Sequence, residues 1–256
     1  MKIILLSIDA LMESDLEYFR KLPAMGRLLE KASVVPQIMS IYPTYTYACH
    51  ASMASGCYPD RTKVAHNVTW PEEEWMWDRR YNKAEILTDV LKRNGYSTAS
   101  VCFPMTGGAD IDINVPEVWA EKPDDDTDPV FRKYSSEKGY RIYQKNKAKL
   151  NWMKTPAMDE FATDCVCDIL DEHEPDFIMA HLSYLDHQRH NCGPESECVE
   201  HAIRFIDTCV EKILDHADDY KWIIVGDHGH RRVFRQFSIN KALEEMGKSD
   251  KLAIHA

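Results

Sequence analysis

The chain has 256 residues, 44% of them hydrophobic, which is enough for one sizeable core and argues against disorder. Its formal net charge of -11, with no basic block, excludes duplex nucleic acid as a fitting partner and suits metal ions, whose hard ligands are carboxylates. The first apolar run is too short for a signal peptide or for a membrane span of about 20 residues, and no other segment comes close; a soluble, cytoplasmic protein with no membrane partner is expected.

In chain order, KIILLSI at 2–8 is a short, continuous apolar run, predicted to be a strand buried on both faces. SVVPQIM at 33–39 is a second candidate strand, which Pro36 places at an edge or a bulge. YPTYTYACHASMASGCYPDR at 42–61 reads as a turn followed by a helix. AEILTDVLKRNGYSTASVCF at 84–103 reads as a helix, a stop at Gly95 and a strand. From about 119 to 158 the chain is polar and weakly periodic, and an insertion on the surface is expected, with the DDD run in a solvated loop. DEFATDCVCDILDEHEPDFIMAHLSYLD and CVEHAIRFIDTCVEKILDHADDYKWIIVGDHGH each repeat the helix–strand arrangement. This alternation predicts an α/β fold with a mainly parallel central sheet and helices on both faces, as a single domain over 1–256. The eight cysteines (Cys49, Cys57, Cys102, Cys165, Cys167, Cys192, Cys198 and Cys209) are read as free thiols, because no secretory signal accompanies them.

Three of the apolar strands end in a carboxylate: Asp9, Asp186 and Asp227. Ligands of open parallel sheets gather beyond the carboxyl ends of the strands. One such aspartate is often only a helix cap. Three, with His190 four residues after Asp186 and His228 directly after Asp227, point to a shared site. Aspartate with imidazole is a ligand set for zinc or manganese. Thr46 precedes the helical stretch YACHASMAS, and a helix start presents free N–H groups and a positive dipole end to a phosphate. A metal against its hydroxyl would make it a nucleophile. Thr44 competes for that role, and spacing alone does not decide between them.

SIDA, YPTYTYACHASMASGCYPDRTKVAHN, YLDHQRHNCGP and GDHGH, in this order, resemble the alkaline phosphatase superfamily, in particular the type I phosphodiesterase/nucleotide pyrophosphatase family. The resemblance runs from Met1 to about Gly247. It implies an alkaline-phosphatase-like catalytic domain and a hydrolase of phosphodiester or pyrophosphate bonds in nucleotide-type substrates. It further implies two divalent metal ions, zinc or manganese, and a covalent threonine intermediate. By position Thr46 matches the nucleophile. Asp9, Asp227 and His228 match ligands of one ion, with Thr46 beside it, and Asp186 and His190 match ligands of the other. Asn67 matches the residue whose amide holds a phosphoryl oxygen, and Tyr47 replaces the aromatic near the substrate base. The family's late histidine, third ligand of the second ion, has no counterpart in KLAIHA; the domain is expected to be C-terminally incomplete relative to the family, with His230 the nearest stand-in and His255 another. Tyr45 stands where some members carry a lysine. A phosphomonoesterase, a phosphonate hydrolase or a metal-binding protein without catalysis are the alternatives. A sulfatase is disfavoured, because HASM after Cys49 cannot supply that branch's modified nucleophile.

Other residues carry weaker signals. His50 reads as a packing or hydrogen-bonding residue, and His187 as at most a support to the ligands. His66, His173, His181, His201 and His216 lack a partner motif and read as structural or surface residues. WPEEEWMWDRR at 70–80 reads first as a packing surface, and second as a lip over the site.

Overall fold

The computed structural model describes residues 1–35, 37–120, 122, 125–151, 156–235 and 237–248. Strand β1 (Lys2–Ile8) is followed by helices α1 (Glu13–Phe19), α2 (Pro23–Lys31), α3 (Thr46–Ser55), α4 (Pro59–Thr62) and α5 (Leu87–Arg93). Next come β2 (Thr98–Val101), β3 (Ile113–Val115), α6 (Asp128–Tyr134), α7 (Glu137–Asn146), α8 (Ala157–His173) and β4 (Phe177–Leu182). The remainder is α9 (Tyr184–Cys192), α10 (Glu197–Leu214), β5 (Tyr220–Val225) and α11 (Ile239–Glu245).

The five strands form one parallel sheet in the order β3-β2-β4-β1-β5. β1 is flanked by β4, with Ile8 opposite Leu182, and by β5, with Ser7 opposite Val225. The alternation of its side chains explains why the whole run is apolar. Ile4, Leu6 and Ile8 join the main core with α2, α7, α8 and α10. Leu5 faces the other way, into a cluster with Phe103, Ile111, Phe177 and Met179 that Met53 and Ala54 of α3 and Leu91 of α5 cover. β5 is one of the two edge strands of this sheet, and Ile223 on it is 49% exposed.

The polar segment at 119–158 contributes a buried face to the core. Phe131, Ile142 and Tyr143 are each no more than 2% exposed, and the Phe131 and Tyr143 rings stack at 4.0 Å. α7 crosses the end of β3 at Gly139, where a Cβ would lie 1.9 Å from the Asn114 carbonyl oxygen. Any side chain there would force the helix off the sheet.

Two expectations are corrected. Residues 33–35 and 37–39 are irregular, not a strand, and Val35, Ile38 and Met39 are exposed; Pro36 itself lies outside the described residues. Among the described residues their β-branched composition finds no neighbouring strand to pair with, and propensity without a partner does not make a sheet. Secondly, Cys192 and Cys198 are paired in a disulfide rather than free. The turn between α9 and α10 brings them together across six residues, a proximity that composition does not reveal. The other six cysteines are free, and all but Cys57 are buried. No helix among the described residues is long and apolar enough to cross a membrane.

Candidate active site

β4, β1 and β5 lie side by side, so the residues that follow them arrive at one edge of the sheet. Asp9 directly follows β1, Asp186 lies in the first turn of α9 beyond β4, and Asp227 and His228 follow β5. The approach is close. A Cβ on Gly226 would lie 2.4 Å from the Leu11 carbonyl oxygen, so only glycine lets the β5 exit pass the β1 exit here. Asp227 then accepts the backbone N–H of Ala10 at 3.0 Å and that of His228 at 2.8 Å through Oδ1.

Two groups of ligating atoms result. Those of Asp9, Asp186 and His228 lie within 4.8 Å of one another, and so do those of Asp186, His190 and His230. His228 Nε2 is 3.4 Å from Asp9 Oδ1, 3.5 Å from Asp227 Oδ2 and 3.4 Å from the Thr46 hydroxyl. His230 Nε2 is 2.8 Å from Asp186 Oδ1, and His190 Nε2 is 3.5 Å from Asp186 Oδ2. Asp186 stands between the two groups, where the sequence suggested it served one alone.

The electrostatics of the first group ask for a cation. Asp9 and Asp227 are each 4% exposed, and Asp9 Oδ1 and Asp227 Oδ2 have no hydrogen-bond partner among the described residues. Burial, with the Asp227 carboxylate next in weight, pushes Asp9 well above the usual carboxylate range. Burial acts the same way on Asp227, but the His228 and His181 imidazoles and the Ala10 N–H outweigh it and hold that carboxyl below its ordinary value. Two buried carboxylates of this kind are costly unless a positive charge joins them. A divalent ion held by Asp9, Asp227 and His228 fits the donor set, with two orphaned oxygens to offer.

Thr46 is the first residue of α3, and its hydroxyl faces His228. Thr44 is exposed and precedes the helix. Asn67 Oδ1 accepts the Tyr47 backbone N–H at 2.9 Å, so its amide nitrogen is the group it can offer to an anion. Tyr47 is only 1% exposed and gives its hydroxyl to Glu117 at 3.3 Å, which places it in the floor of the cleft. Trp75 lies 5.6 Å from the Tyr47 ring and 5.8 Å from the Trp119 ring. The cleft, of about 1260 Å³, runs from Asp9, Thr46 and Asp186 past Trp75, Trp77 and Trp119. Two of the tryptophans in the 70–80 segment therefore do line the site.

His50, His181 and Glu117 hold this arrangement from below. His50 is fully buried, and its Nδ1 is 2.7 Å from the Thr46 carbonyl oxygen, so Nδ1 donates and Nε2 accepts from the Ser7 hydroxyl at 2.9 Å. Burial, with His181 beside it, lowers its pKa to about 3, and the ring is neutral. His181 was not singled out by the sequence, yet it bridges Asp9 Oδ2 at 3.2 Å and Glu117 Oε2 at 3.4 Å. Burial opposes its protonation, but those two carboxylates outweigh it and raise the imidazole well above its ordinary value. The available signal was a histidine inside an apolar strand buried on both faces. Nothing one-dimensional pointed to Glu117.

α9, which carries Asp186 and His190, is fixed at both ends. Asp159 on α8 accepts the Ser183 and Tyr184 N–H groups at 2.9 and 3.1 Å and the Ser183 hydroxyl at 3.3 Å. It thus caps α9 from a neighbouring helix. Asp159→Ala is expected to cost about 1–3 kcal/mol, because it leaves those donors unpaired; urea denaturation with the midpoint unchanged would contradict this role. Toward the other end Arg189, fully buried, donates through Nη2 to both oxygens of Asp15 at 2.6 and 2.7 Å, and through Nη1 to the Pro194 carbonyl at 2.9 Å.

A family model described as type I phosphodiesterase/nucleotide pyrophosphatase matches residues 3–255. The chain belongs to this family. Human ectonucleotide pyrophosphatase/phosphodiesterase family member 1 is 21% identical over 223 residues, covering 81% of this chain and 21% of that protein. Phosphonoacetate hydrolase from Sinorhizobium meliloti 1021, solved with phosphonoformate, shares the fold with a TM-score of 0.75 at 17% identity, over 98% of this chain and 63% of that one. An inactive threonine-to-alanine variant of murine ectonucleotide pyrophosphatase/phosphodiesterase 5, solved with AMP, has a TM-score of 0.61 at 15% identity, over 90% and 57%. The chain therefore spans about a fifth of the human relative and about three-fifths of these two solved chains.

Proposed function

We propose that this protein hydrolyses phosphodiester or pyrophosphate bonds of nucleotide-type substrates, with Thr46 as nucleophile and two divalent ions, zinc or manganese, as cofactors. The observation that carries the reading is the Thr46 hydroxyl 3.4 Å from His228, itself beside two buried carboxylates with unpartnered oxygens. Asp9, Asp227 and His228 would hold one ion, and Asp186 and His190 the other. When bound, the ions would supply Lewis-acid stabilisation of charge on the attacking and leaving oxygens.

The protein's own groups do the rest. The Thr46 hydroxyl gives its proton to solvent and its oxygen bonds to phosphorus, while the bond to the leaving-group oxygen breaks and that oxygen keeps the electron pair. The resulting phosphothreonine diester or monoester is attacked by water at the same phosphorus, and Thr46 Oγ1 departs and recovers a proton. The start of α3 offers its positive dipole end to the phosphoryl group, and the Asn67 amide nitrogen can donate to one of its oxygens. Trp75 and Trp119 give an organic leaving group an apolar wall. The AMP bound by the murine relative supports a nucleotide-sized substrate, and the cleft volume accommodates one.

The test is hydrolysis of p-nitrophenyl thymidine monophosphate against p-nitrophenyl phosphate and phosphonoacetate, with zinc or manganese and with a chelator. The diester is expected to turn over fastest, and only with metal. Faster turnover of either of the other two would replace the reading with a phosphomonoesterase or a phosphonate hydrolase. Turnover of none would favour a metal-binding protein.

A further inference from the structure

The DHGH turn carries a histidine that the proposed mechanism does not use. His228 points to Asp9 and Asp227, and two residues on, His230 points the other way, to Asp186. We propose that His230 is the third protein ligand of the ion held by Asp186 and His190, so that this one turn serves both metal positions. The inference rests on the two-ion reading above and adds a residue which that reading does not require.

Three observations carry it. The first is spacing. His230 Nε2 and His190 Nε2 approach opposite oxygens of one carboxylate, at 2.8 and 3.5 Å. Neighbouring ligands around a tetrahedral zinc with bonds of about 2.0–2.1 Å lie roughly 3.3 Å apart, so little movement is needed to close on an ion. The second is orientation. The His190 and His230 rings stand edge to face at 4.5 Å, 88° between planes, and both turn Nε2 toward Asp186. A single histidine would satisfy Asp186 as a hydrogen-bond partner. Two imidazoles aimed at the same carboxylate are what a two-histidine, one-carboxylate site requires. The third is fixation. The His230 side chain is 16% exposed while that of His190 is 67% exposed, and the His230 backbone N–H meets Met12 Sδ at 3.3 Å. The better anchored of the two imidazoles is therefore the unassigned one. The rings of His228 and His230 are 5.8 Å apart, a separation that suits ligands of two adjacent ions.

The experiment is titration of the metal-free chain with Co²⁺, followed by its visible absorption and by calorimetry, for the wild type, His230→Ala, His230→Gln and His228→Ala. Circular dichroism of each metal-free variant checks that it is folded. The wild type is expected to bind two ions. His230→Ala should bind one as the wild type does and the other at least about 100-fold more weakly, since removal even of an outer partner costs 10–100-fold. His230→Gln should behave like His230→Ala, because an amide keeps a hydrogen bond to Asp186 but is a poor ligand. His228→Ala should weaken the other ion, and its spectral change should differ. Two ions bound by His230→Ala with wild-type affinity would overturn the inference and leave the two-ion reading standing. A wild type that binds one ion, unaffected by His230→Ala, overturns both. One ion that His230→Ala loosens sustains the ligand and removes only the two-ion reading.

Discussion

Thr46→Ala is expected to lower turnover of a phosphodiester by about 10⁴-fold or more, while leaving metal binding nearly intact. Removal of a nucleophile costs this much or more in enzymes that act through a covalent intermediate. The candidate ligand atoms come from aspartates and histidines on other segments, and of these only His228 meets the Thr46 hydroxyl, at 3.4 Å. Thr46→Ser should retain partial activity, because the hydroxyl survives but the rotamer that the methyl group restricts is lost. Thr44→Ala should cost far less, since Thr44 is exposed and outside the helix start. Steady-state kinetics beside Co²⁺ titration separate the two properties. If Thr44→Ala were the dead variant and Thr46→Ala active, the register of the nucleophile would be wrong.

Arg189→Met should be the most destabilising substitution near the site, by about 3–5 kcal/mol, because it leaves the Asp15 carboxylate buried without its cation. Asp15 also accepts the Met12 backbone N–H at 2.8 Å, so it cannot simply turn to solvent. The pair ties α9 to α1, and Met12 in turn touches His230. Loss of the pair should therefore loosen the Asp186, His190 and His230 group as well as the fold. The double variant Asp15→Leu/Arg189→Met should recover part of the loss, because a buried pair replaced as a whole is far less costly than one broken. Urea denaturation of the two single variants and the double gives the coupling. Near-zero coupling would mean that the contact contributes nothing.

Much of the site was legible because its logic is one-dimensional. A strand buried on both faces must read as continuous apolar residues, as KIILLSI and DFIMAHL do, and the half-exposed edge strand keeps the run KWIIV; each is followed by a carboxylate. Helix stops also left a mark: Gly95 and Glu174 both adopt the left-handed backbone after a helix. The failures share a cause, which is dependence on a partner distant in sequence. Val34 and Val35 have strand chemistry but no strand beside them. His181 gained its place only when β4 paired with β1 and brought it against Asp9, 172 residues away. Cys192 and Cys198 needed the turn between two helices. His230 was visible as a histidine out of pattern, but the sequence could not aim its ring.

The position of β1 in the sheet has a further consequence for how the protein comes to be made. β1 is synthesised well before its two neighbours, β4 and β5, which begin at Phe177 and Tyr220. Until β4 emerges it is an apolar strand with both edges unpaired, the kind of segment on which nascent chains associate. Pairings across 170 to 220 residues also make for slow folding, since loop closure precedes any contact that rewards it. The sheet edge at which Asp9, Asp186 and Asp227 meet cannot exist before the last of those strands is in place. The candidate site therefore assembles late, when β5 joins the sheet, and a nascent chain that stalls before β5 lacks Asp227 and His228 altogether.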